Sequence, residues 1–270
     1  PEGAICGVSA GYGRGEAAEP RNDGREDRAP QIDPSGSSAT VLEIGPGLGT
    51  LTSSLLKRFQ KVIAVEYDPR LAANLPKSFP GTNLTVVHQD ILKFDFFTLP
   101  PDYVVVGNIP YYITSPILTA LLEAKCFETV TVMVQKEVAQ RIAAAPGTAD
   151  YSAFTVFCQY YAEPELLFHV SAGSFMPAPK VDSAVVRIRL HKEKPYRPLD
   201  EKIFFRTIRA AFEQRRKTLP NALSAGFPDI PKDTLTAIIE DCGHRPDIRG
   251  ERLDLADFVA LADRIYALRG

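Results

Sequence analysis

The sequence lacks the features that mark disulfide-stabilised, zinc-binding and membrane-spanning proteins. Its 270 residues include four cysteines and four histidines, all far apart, and no Cys-x-x-Cys pair. This spacing argues against a disulfide framework and against a metal site, and it favours a reducing compartment. No apolar run approaches the roughly 20 residues that a membrane span needs. We therefore expect a soluble, cytoplasmic protein that does not associate with a membrane.

An excess of charge of one sign is also nearly absent. The formal net charge is −2 at pH 7, so no overall positive field would attract nucleic acid, and any basic surface must be local. The composition, 45% hydrophobic and 24% charged, is that of an ordinary globular protein. The length allows one large domain and one small one. A monomer is the default expectation.

Composition and periodicity divide the chain into three parts. Residues 1–39 are rich in Gly, Pro and charge, have no hydrophobic period, and are predicted to be poorly structured. Residues 40–192 alternate strand and helix patterns, which predicts an α/β domain with a mostly parallel, Rossmann-like sheet. A polar, Pro-containing linker follows, and residues 199–270 show helical patterns only. We predict a small all-helical C-terminal domain there.

The pattern predicts seven strands and eight helices. The strands are expected at residues 41–44, 62–65, 84–87, 104–106, 130–134, 166–170 and 184–190. The helices are expected at 48–59, 69–78, 116–122, 136–145, 154–161, 204–212, 235–241 and 255–268. Ser115 is predicted as the N-cap of the third helix, with Pro116 at its first position. Residues 184–190 alternate apolar side chains with Val185, Arg187 and Arg189, which predicts an antiparallel strand at an edge of the sheet.

A glycine-rich loop follows the first strand. Gly45, Gly47 and Gly49 form a Gly-x-Gly-x-Gly pattern rather than the Gly-x-Gly-x-x-Gly of dinucleotide-binding folds, because position 50 is Thr. Glycines in this place let the backbone approach a ligand closely at the carboxyl ends of the strands. No Lys or Arg lies in the loop to hold a pyrophosphate.

Acidic residues near the same strand ends indicate the kind of ligand. Glu66 ends the second strand and is placed to accept from both ribose hydroxyls of an adenosine. Asp90 follows the third strand and is placed to accept from the adenine amino group, with Ile91 as an apolar face. Glu43 can reach the ammonium of an amino-acid moiety. This set predicts a cationic cofactor made of adenosine and an amino acid, S-adenosyl-L-methionine.

The stretch from Val104 to Tyr112 contains the strongest candidate for a catalytic site. Three valines predict a buried strand, which we expect Gly107 to end. Pro110 keeps Ile109 extended, so the Asn108 amide, the exposed Ile109 carbonyl and the Tyr111 ring are held on one turn. The amide and carbonyl can accept from an exocyclic amino group, and the ring can stack on the base that carries it. We expect Asn108 to contact both the reacting amino group and the cofactor.

Several further motifs recur in one known family. They are Asn108-Ile109-Pro110-Tyr111-Tyr112-Ile113-Thr114-Ser115-Pro116, Val134-Gln135-Lys136-Glu137-Val138-Ala139-Gln140-Arg141, Phe175-Met176-Pro177-Ala178-Pro179-Lys180-Val181-Asp182-Ser183 and Ala211-Phe212-Glu213-Gln214-Arg215-Arg216-Lys217-Thr218-Leu219. With these and the glycine loop, residues 40–270 resemble the ribosomal RNA adenine dimethyltransferases of the KsgA type. Members usually carry a Gly-Gln-Asn-Phe-Leu-like segment before the glycine loop, which residues 1–39 lack. We therefore assign no cofactor residue before Glu43.

The resemblance implies a reaction and a partner. It implies transfer of two methyl groups to N6 of each of two adjacent adenines near the 3′ end of small-subunit rRNA, with a precursor of the small ribosomal subunit as substrate. In the mechanism we expect, Asn108 and the Ile109 carbonyl accept the two N6–H bonds, which positions the nitrogen rather than deprotonating it. The target base must leave its stack, and Tyr111 and Phe175 are the expected flanking rings. Tyr112 and Met176 are predicted to be packing residues.

Basic residues are concentrated near the start of the helical part. Arg206, Arg209, Arg215, Arg216 and Lys217 lie between residues 200 and 221. A solvated charged face is the usual explanation for such a cluster. Beside a domain that acts on RNA, phosphate contacts are favoured, although some of these arginines could instead hold the two domains together.

Three other functions stay open. A methyltransferase of the macrolide-resistance type, acting on large-subunit rRNA, shares Asn-x-Pro-Tyr, but the segment from Glu213 to Leu219 favours the small-subunit type. DNA-adenine and protein-glutamine methyltransferases normally carry Pro where this chain has Ile109. A binding factor for ribosome assembly or transcription on the same scaffold is the third, and the intact acids Glu66 and Asp90 argue against a purely non-catalytic protein.

Overall fold

A seven-stranded sheet organises the computed structural model, which describes residues 40–101, 103–176 and 178–268. The strands are β1 (Thr40–Ile44), β2 (Lys61–Glu66), β3 (Leu84–His88), β4 (Tyr103–Asn108), β5 (Phe127–Gln135), β6 (Ala162–Val170) and β7 (Ser183–Leu190). Their order across the sheet is β3-β2-β1-β4-β5-β7-β6. Strands β1 to β5 pair in parallel, and β7 is antiparallel to both β5 and β6. The predicted mostly parallel sheet with one antiparallel strand is confirmed.

Helices cover the sheet and make up the C-terminal part. They are α1 (Thr50–Leu55), α2 (Pro69–Ser78), α3 (Thr114–Ala124), α4 (Lys136–Ile142), α5 (Ala153–Tyr161), α6 (Glu201–Glu213), α7 (Leu219–Gly226), α8 (Lys232–Asp241) and α9 (Leu255–Ala267). Helix α2 matches its predicted bounds because its start signals are local: Asp68 caps the helix by accepting from the N–H groups of Arg70 and Leu71, and Pro69 follows. In the part of the chain that the structure describes, no helix is both long enough and apolar enough to span a bilayer.

The predicted edge position of the 184–190 strand is wrong. Strand β7 lies between β5 and β6, and β6 is the edge. The alternating pattern was correct about its faces, since Ala184, Val186 and Ile188 are buried. Alternation reports which face of a strand is covered, but it carries no information on whether both backbone edges are paired.

Several element boundaries also differ from expectation. Gly107 does not end the fourth strand, which continues to Asn108. Ser115 is not an N-cap: a short 3-10 helix (Tyr111–Ile113) runs into α3, so that Ile113 occupies the cap position. The helices predicted at 48–59 and 136–145 are shorter than expected. Helix α7 is missing from the prediction, because Pro220 suggests a break between helices, whereas proline also fits the first turn of a helix.

The C-terminal helices pack on α5 through aromatic side chains. The ring centroids of Tyr160 and Phe204 are 4.8 Å apart, and the Tyr160 hydroxyl donates to Glu201 at 2.8 Å. A cluster of buried hydrophobic residues runs from the sheet into α9, and the described residues all belong to one compact unit. The domain boundary between residues 192 and 199 stays a prediction, and the prediction for residues 1–39 lies outside the described residues.

Candidate active site

The predicted site residues meet at one edge of the sheet. Parallel strands place their carboxyl ends together, and here Ile44 of β1 is in register with Val65 of β2 and Gly107 of β4. The glycine loop, Glu66 and Asn108 each follow or end one of these strands. This packing is close: a Cβ on Gly107 would lie 2.7 Å from the Ile44 carbonyl oxygen. Gly107 is therefore the residue that lets β1 and β4 approach, not the residue that stops β4.

The glycine loop has left-handed backbone at all three glycines. Gly45, Gly47 and Gly49 have φ values of 65°, 58° and 85°, which L side chains adopt at a cost. A Cβ on Gly47 would meet no atom within 4 Å, whereas one on Gly45 would lie 3.9 Å from the Asn108 carbonyl oxygen. The loop thus borders open space on one side and the Asn108 turn on the other.

Glu66 joins the loop to the end of β2. One carboxylate oxygen accepts from the Gly47 N–H at 3.1 Å, and the other accepts from the Asp68 N–H at 2.9 Å. The residue is 7% exposed. A carboxylate oxygen can accept two hydrogen bonds, so each oxygen keeps capacity for a further donor. The carboxylate both shapes the glycine loop and can receive hydroxyl groups.

Glu43 is more deeply placed than its predicted contact with an ammonium suggests. Only 1% of the residue is exposed, and its carboxylate accepts from the Thr52 hydroxyl at 2.7 Å. Burial raises the pKa of Glu43 above the usual glutamate value, and the hydrogen bonds with Thr52 oppose that shift in part. In this conformation Glu43 ties β1 to α1 and offers almost no open carboxylate surface.

Asp90 and Ile91 lie beyond the end of β3. Asp90 caps a 3-10 helix (Ile91–Lys93), and its side chain accepts from the Leu92 N–H at 3.0 Å. The preceding Gln89 N–H donates to the Glu66 carbonyl oxygen at 3.1 Å, which holds this segment beside the end of β2. Ile91 is 7% exposed and belongs to the core, so most of its predicted apolar face is turned inward.

All five predicted catalytic residues line one cavity. It has a volume of about 290 Å³ and is lined by Asn108, Ile109, Pro110, Tyr111, Phe175 and Pro179. Phe175 is thus brought to the Asn108 turn from 67 residues further along the chain. Pro179 was not predicted as a site residue, because proline carries no functional group that points to chemistry.

Two neighbours hold the walls of this cavity. The Ile109 N–H donates to the Met133 carbonyl oxygen of β5 at 3.1 Å. The hydroxyls of Tyr111 and Ser183 are 2.8 Å apart, and Ser183 is fully buried. Ile109 is 1% exposed, so the expected solvent exposure of its carbonyl is wrong. Sequence reasoning missed Ser183, since no local signal links residues 72 positions apart.

Two side chains next to the cavity residues were wrongly predicted to pack. Tyr112 is 84% exposed and Met176 is 99% exposed. Tyr111 and Tyr112 are consecutive in a 3-10 helix, where successive side chains point about 120° apart. Because Tyr111 is directed at Ser183, Tyr112 is turned outward. Met176 lies in an irregular segment and is not covered by any other part of the chain that the structure describes.

The structure separates the five basic residues into two groups. Arg206 donates to the Gly226 carbonyl at 2.8 Å and lies 4.6 Å from the centre of the Phe227 ring. Arg215 donates to the carbonyls of Ala149 and Tyr151 at 3.0 and 3.2 Å and pairs with Glu251. Those two arginines therefore have structural contacts.

The other three are Arg209, Arg216 and Lys217. All are exposed, and their side chains form no hydrogen bond or ion pair with other described residues. Within residues 40–101, 103–176 and 178–268, no three His, Cys, Asp or Glu side chains are grouped as metal ligands.

Sequence comparison identifies relatives of this arrangement. The family model "Ribosomal RNA adenine dimethylase" matches residues 29–243. A "Ribosomal RNA small subunit methyltransferase A" of Lachnoclostridium phytofermentans is 44% identical over 236 residues, covering 83% of this chain and 81% of the relative. The protein of the same name from Geobacillus thermodenitrificans is 41% identical over 250 residues, covering 88% and 85%.

Two solved structures of RNA methyltransferases are also similar to this chain. A dimethyladenosine transferase from Plasmodium falciparum superposes with a TM-score of 0.72 at 29% identity, covering 82% of this chain and 88% of that one. The 23S rRNA methyltransferase ErmE superposes with a TM-score of 0.67 at 30% identity, covering 85% and 91%. The chain belongs to the ribosomal RNA adenine dimethylase family.

Proposed function

We propose that this protein transfers methyl groups from S-adenosylmethionine to N6 of two adjacent adenines near the 3′ end of small-subunit (16S) rRNA. The observation that carries this proposal is the cavity in which Asn108, Ile109, Tyr111 and Phe175 meet directly beside the glycine loop. Relatives at 41% and 44% identity are named as small-subunit rRNA methyltransferases. The substrate is a precursor of the small ribosomal subunit.

The residues around the glycine loop fit the cofactor. Gly47 borders open space, and Glu66 retains acceptor capacity on both oxygens after its bonds to Gly47 and Asp68. Glu66 would receive the ribose hydroxyls, and Asp90 the adenine amino group. When bound, S-adenosylmethionine supplies an electrophilic methyl group on a cationic sulfur. The carboxylates of Glu66 and Asp90 and the buried carboxyl of Glu43 suit a ligand of that charge.

The cavity fits one flipped adenine. Tyr111 and Phe175 provide two aromatic walls, which can hold a base by stacking on both of its faces. The Tyr111 ring is fixed by its hydroxyl contact with Ser183. The Asn108 side chain is exposed at the end of β4 and can accept from the exocyclic amino group. The Ile109 carbonyl, almost fully shielded from solvent, would be reached only from within the cavity.

The chain contributes positioning rather than general-base catalysis. The lone pair of adenine N6 is delocalised into the ring, so the amine is a poor nucleophile. Hydrogen bonds from its two N–H groups to Asn108 Oδ1 and the Ile109 carbonyl favour a more pyramidal nitrogen with an available lone pair. The proton leaves after methyl transfer, when the nitrogen is cationic. The second methylation has one N–H left, so one of the two acceptors is then sufficient.

Three exposed basic residues are proposed to bind RNA phosphates. Arg209, Arg216 and Lys217 make no hydrogen bond or ion pair within the described chain, unlike Arg206 and Arg215. Free cationic side chains beside a catalytic part that acts on RNA are available to replace phosphate counterions. We further propose that the protein acts as a monomer in the cytoplasm and that residues 40–192 and 199–270 are its catalytic and RNA-binding domains.

The likeness to ErmE raises large-subunit rRNA as the competing substrate. The identity to the small-subunit methyltransferases, 41–44%, exceeds the 30% identity to ErmE. The segment from Glu213 to Leu219, which contains Arg216 and Lys217, also resembles the small-subunit type. We therefore favour small-subunit rRNA.

A methyl-transfer assay tests the proposal directly. Labelled S-adenosylmethionine is incubated with the protein and with unmodified small subunits, mature small subunits or large subunits, followed by nucleoside analysis. We expect N6,N6-dimethyladenosine only in unmodified small subunits. Label in large-subunit rRNA would instead show a methyltransferase of the macrolide-resistance type. Tight binding to the subunits without any label would show a binding factor.

An Asn108→Ala variant tests the assignment of the site. We expect turnover to fall by about 100-fold or more, by comparison with the loss of one preorganised hydrogen-bonding group in other enzymes. The fold should be retained, because the Asn108 side chain is exposed. Asn74→Ala, at an exposed position of α2, is the matched control and should behave as wild type. Near-normal methylation by Asn108→Ala would remove Asn108 from the mechanism.

A further inference from the structure

A second cavity lies beside the first and has no assigned role. Its volume is about 390 Å³, larger than the cavity that contains Asn108. Its lining residues come from the end of β5, the start of α4 and the segment before β7: Gln135, Lys136, Glu137, Gln140, Ala172, Lys180, Val181 and Asp182. Most of these side chains are polar, which distinguishes this cavity from the aromatic one.

The two cavities share a wall and open at the same edge of the sheet. Ala172 and Lys180 line the second cavity, while Phe175 and Pro179, between them in the chain, line the first. On the sheet side, Asn108 of β4 is in register with Met133 of β5, two residues before Gln135. Neighbouring strands lie about 4.8 Å apart and each residue rises about 3.3 Å along a strand, which places Gln135 about 8 Å from Asn108.

Ser183 connects the two cavities mechanically. Its backbone is in register with Gln135, which lines the second cavity, and its hydroxyl contacts Tyr111, which lines the first. The shared wall is fixed on its other side as well, because the Lys136 N–H donates to the Asp182 carbonyl at 3.0 Å. The Asp182 carboxylate accepts from the Ala172 N–H at 3.0 Å. The linings of the two cavities are therefore joined by hydrogen bonds.

The lining of the second cavity suits a nucleotide. The amides of Gln135 and Gln140 each offer donors and an acceptor, and a glutamine amide can bind the N6 and N7 edge of adenine with two hydrogen bonds. The ammonium groups of Lys136 and Lys180 can neutralise a phosphate. The carboxylates of Glu137 and Asp182 can accept from amino groups, and Asp182 keeps that capacity after its single bond from the Ala172 N–H.

We propose that this second cavity holds the nucleotide adjacent to the target adenine, with Gln140 contacting its base and Lys180 its phosphate. The inference rests on the proposed function, since an RNA strand that places one adenine against Asn108 must also place the adjacent nucleotide close by. For a substrate with two adjacent adenines, the cavity would hold one adenine while the other is methylated. It would then contribute to the choice of two consecutive adenines as targets.

The test combines changes in the protein with changes in the RNA. Small subunits are reconstituted with rRNA in which either of the two adenines is replaced by uracil, and methylation of the remaining adenine is measured by primer extension. For the wild-type protein we expect kcat/KM at the remaining adenine to fall by a factor of about 10 or more for at least one of the two replacements. Gln140→Ala should lower kcat/KM by the same factor on the unaltered rRNA. On the rRNA with the replaced adenine, it should cause no further loss of kcat/KM.

Lys180→Ala separates the phosphate contact from the base contact. It should lower kcat/KM equally on all the rRNAs. The slope of the logarithm of the binding constant against the logarithm of the salt concentration should fall in magnitude by about 0.7. Lys57→Ala, an exposed lysine between α1 and β2 toward the opposite edge of the sheet, is the matched control and should change neither quantity. Affinity for S-adenosylmethionine and the melting temperature should be unchanged in all three variants.

The outcomes distinguish this inference from the proposed function. If the wild-type protein methylates the rRNA but Gln140→Ala and Lys180→Ala behave like Lys57→Ala, the inference is overturned and the proposed function stands. If wild type is insensitive to both neighbour replacements, the base contact is overturned as well. If the wild-type protein transfers no methyl group to any rRNA, the proposed function fails and the inference fails with it.

Discussion

The hydroxyl of Tyr111 lies 2.8 Å from the hydroxyl of Ser183, so the first residue of β7 holds an aromatic wall of the cavity beyond the end of β4. Tyr111→Phe keeps the ring and removes this hydrogen bond, which is worth about 1 kcal/mol. We expect a loss of a few-fold in kcat/KM. Tyr111→Ala also removes the stacking surface, worth about 1–3 kcal/mol per base, and should lose considerably more.

Ser183→Ala is the control for the Tyr111 series. It removes the same hydrogen bond from the other side, so it should match Tyr111→Phe, and the double variant should lose no more than either single one. The measurements are kcat/KM on unmodified small subunits and the melting temperature. Equal losses in Tyr111→Phe and Tyr111→Ala would show that the ring itself does not contact the substrate.

Gly107→Ala should weaken the fold and displace Asn108. The added Cβ would lie 2.7 Å from the Ile44 carbonyl oxygen, and backbone atoms in adjacent paired strands cannot move aside easily. Overpacking of this kind costs about 1–3 kcal/mol, which urea denaturation would measure as a lower free energy of unfolding. Methyl transfer should fall as well, because Asn108 follows directly.

Gly173→Ala is the matched control for Gly107→Ala, since it makes the same substitution in the segment that leads to Phe175. A Cβ there would lie 3.8 Å from its nearest neighbour, the side-chain oxygen of Ser171, which is an ordinary contact distance. We expect no measurable change in stability. If Gly107→Ala is equally neutral, close packing between β1 and β4 does not require glycine.

Glu43→Gln should stabilise the unliganded protein near neutral pH. Burial raises the pKa of Glu43 above its ordinary value of 4.5, so the folded state binds the proton more tightly than the unfolded state. The contribution of the Glu43 proton to the free energy of unfolding is therefore complete below pH 4.5, and it is lost as the pH rises through the pKa of Glu43 in the folded state. At pH 7 the buried carboxylate costs stability, and a neutral glutamine, which can still accept from Thr52, avoids that cost.

The measurement is the difference in melting temperature between Glu43→Gln and wild type across pH. The variant should melt higher at pH 7, and the difference should shrink toward pH 4. Added S-adenosylmethionine should stabilise wild type more than the variant if the Glu43 charge contributes to binding the cationic cofactor. A variant that is equally destabilised at every pH would contradict the burial argument.

Arg215→Ala and Arg216→Ala should affect different properties. Arg215 donates to the carbonyls of Ala149 and Tyr151 and pairs with Glu251. Its side chain is 45% exposed, so solvent screens the interaction, and we expect the free energy of unfolding to fall by about 1 kcal/mol. Arg216 is exposed without such contacts, and its loss should leave stability within about 0.5 kcal/mol of wild type.

RNA binding should show the reverse effect. Removal of one phosphate contact at Arg216 or Lys217 should lower the log–log salt dependence of subunit binding by about 0.7–0.9. Arg215→Ala serves as the control, since its guanidinium is engaged within the protein. An unchanged salt dependence in both Arg216→Ala and Lys217→Ala would remove these residues from the RNA surface.

Local signals in the sequence were sufficient for much of the fold. The start of α2 follows from Asp68 and Pro69, which act on the helix that they begin. The strand and helix alternation after residue 40 depends on hydrophobic periodicity within each element. The motif from Asn108 to Tyr111 predicted that these residues share one turn, because proline restricts its own neighbour, and they line one cavity. In each case the determining contacts lie within a few residues.

Features that depend on partners far along the chain were not predictable in the same way. Strand β7 shows an alternating pattern that is equally compatible with an edge or an interior position, and only its pairing with β5 and β6 decided between them. The outward position of Tyr112 depends on the anchoring of Tyr111 by Ser183. The role of Arg215 depends on a loop 64–66 residues earlier in the chain.

The sequence by itself determined the alternation of strands and helices as far as β7, the glycine loop and the identity of the chemical groups at the strand ends, because these are set by local backbone preferences and hydrophobic periodicity. Tertiary structure alone decided which of those groups share a cavity, which arginines are engaged within the protein, and that a second, polar cavity adjoins the first. The reason is physical: side-chain exposure and long-range hydrogen bonds are properties of packed surfaces, and packing brings together residues whose sequence positions carry no mutual signal.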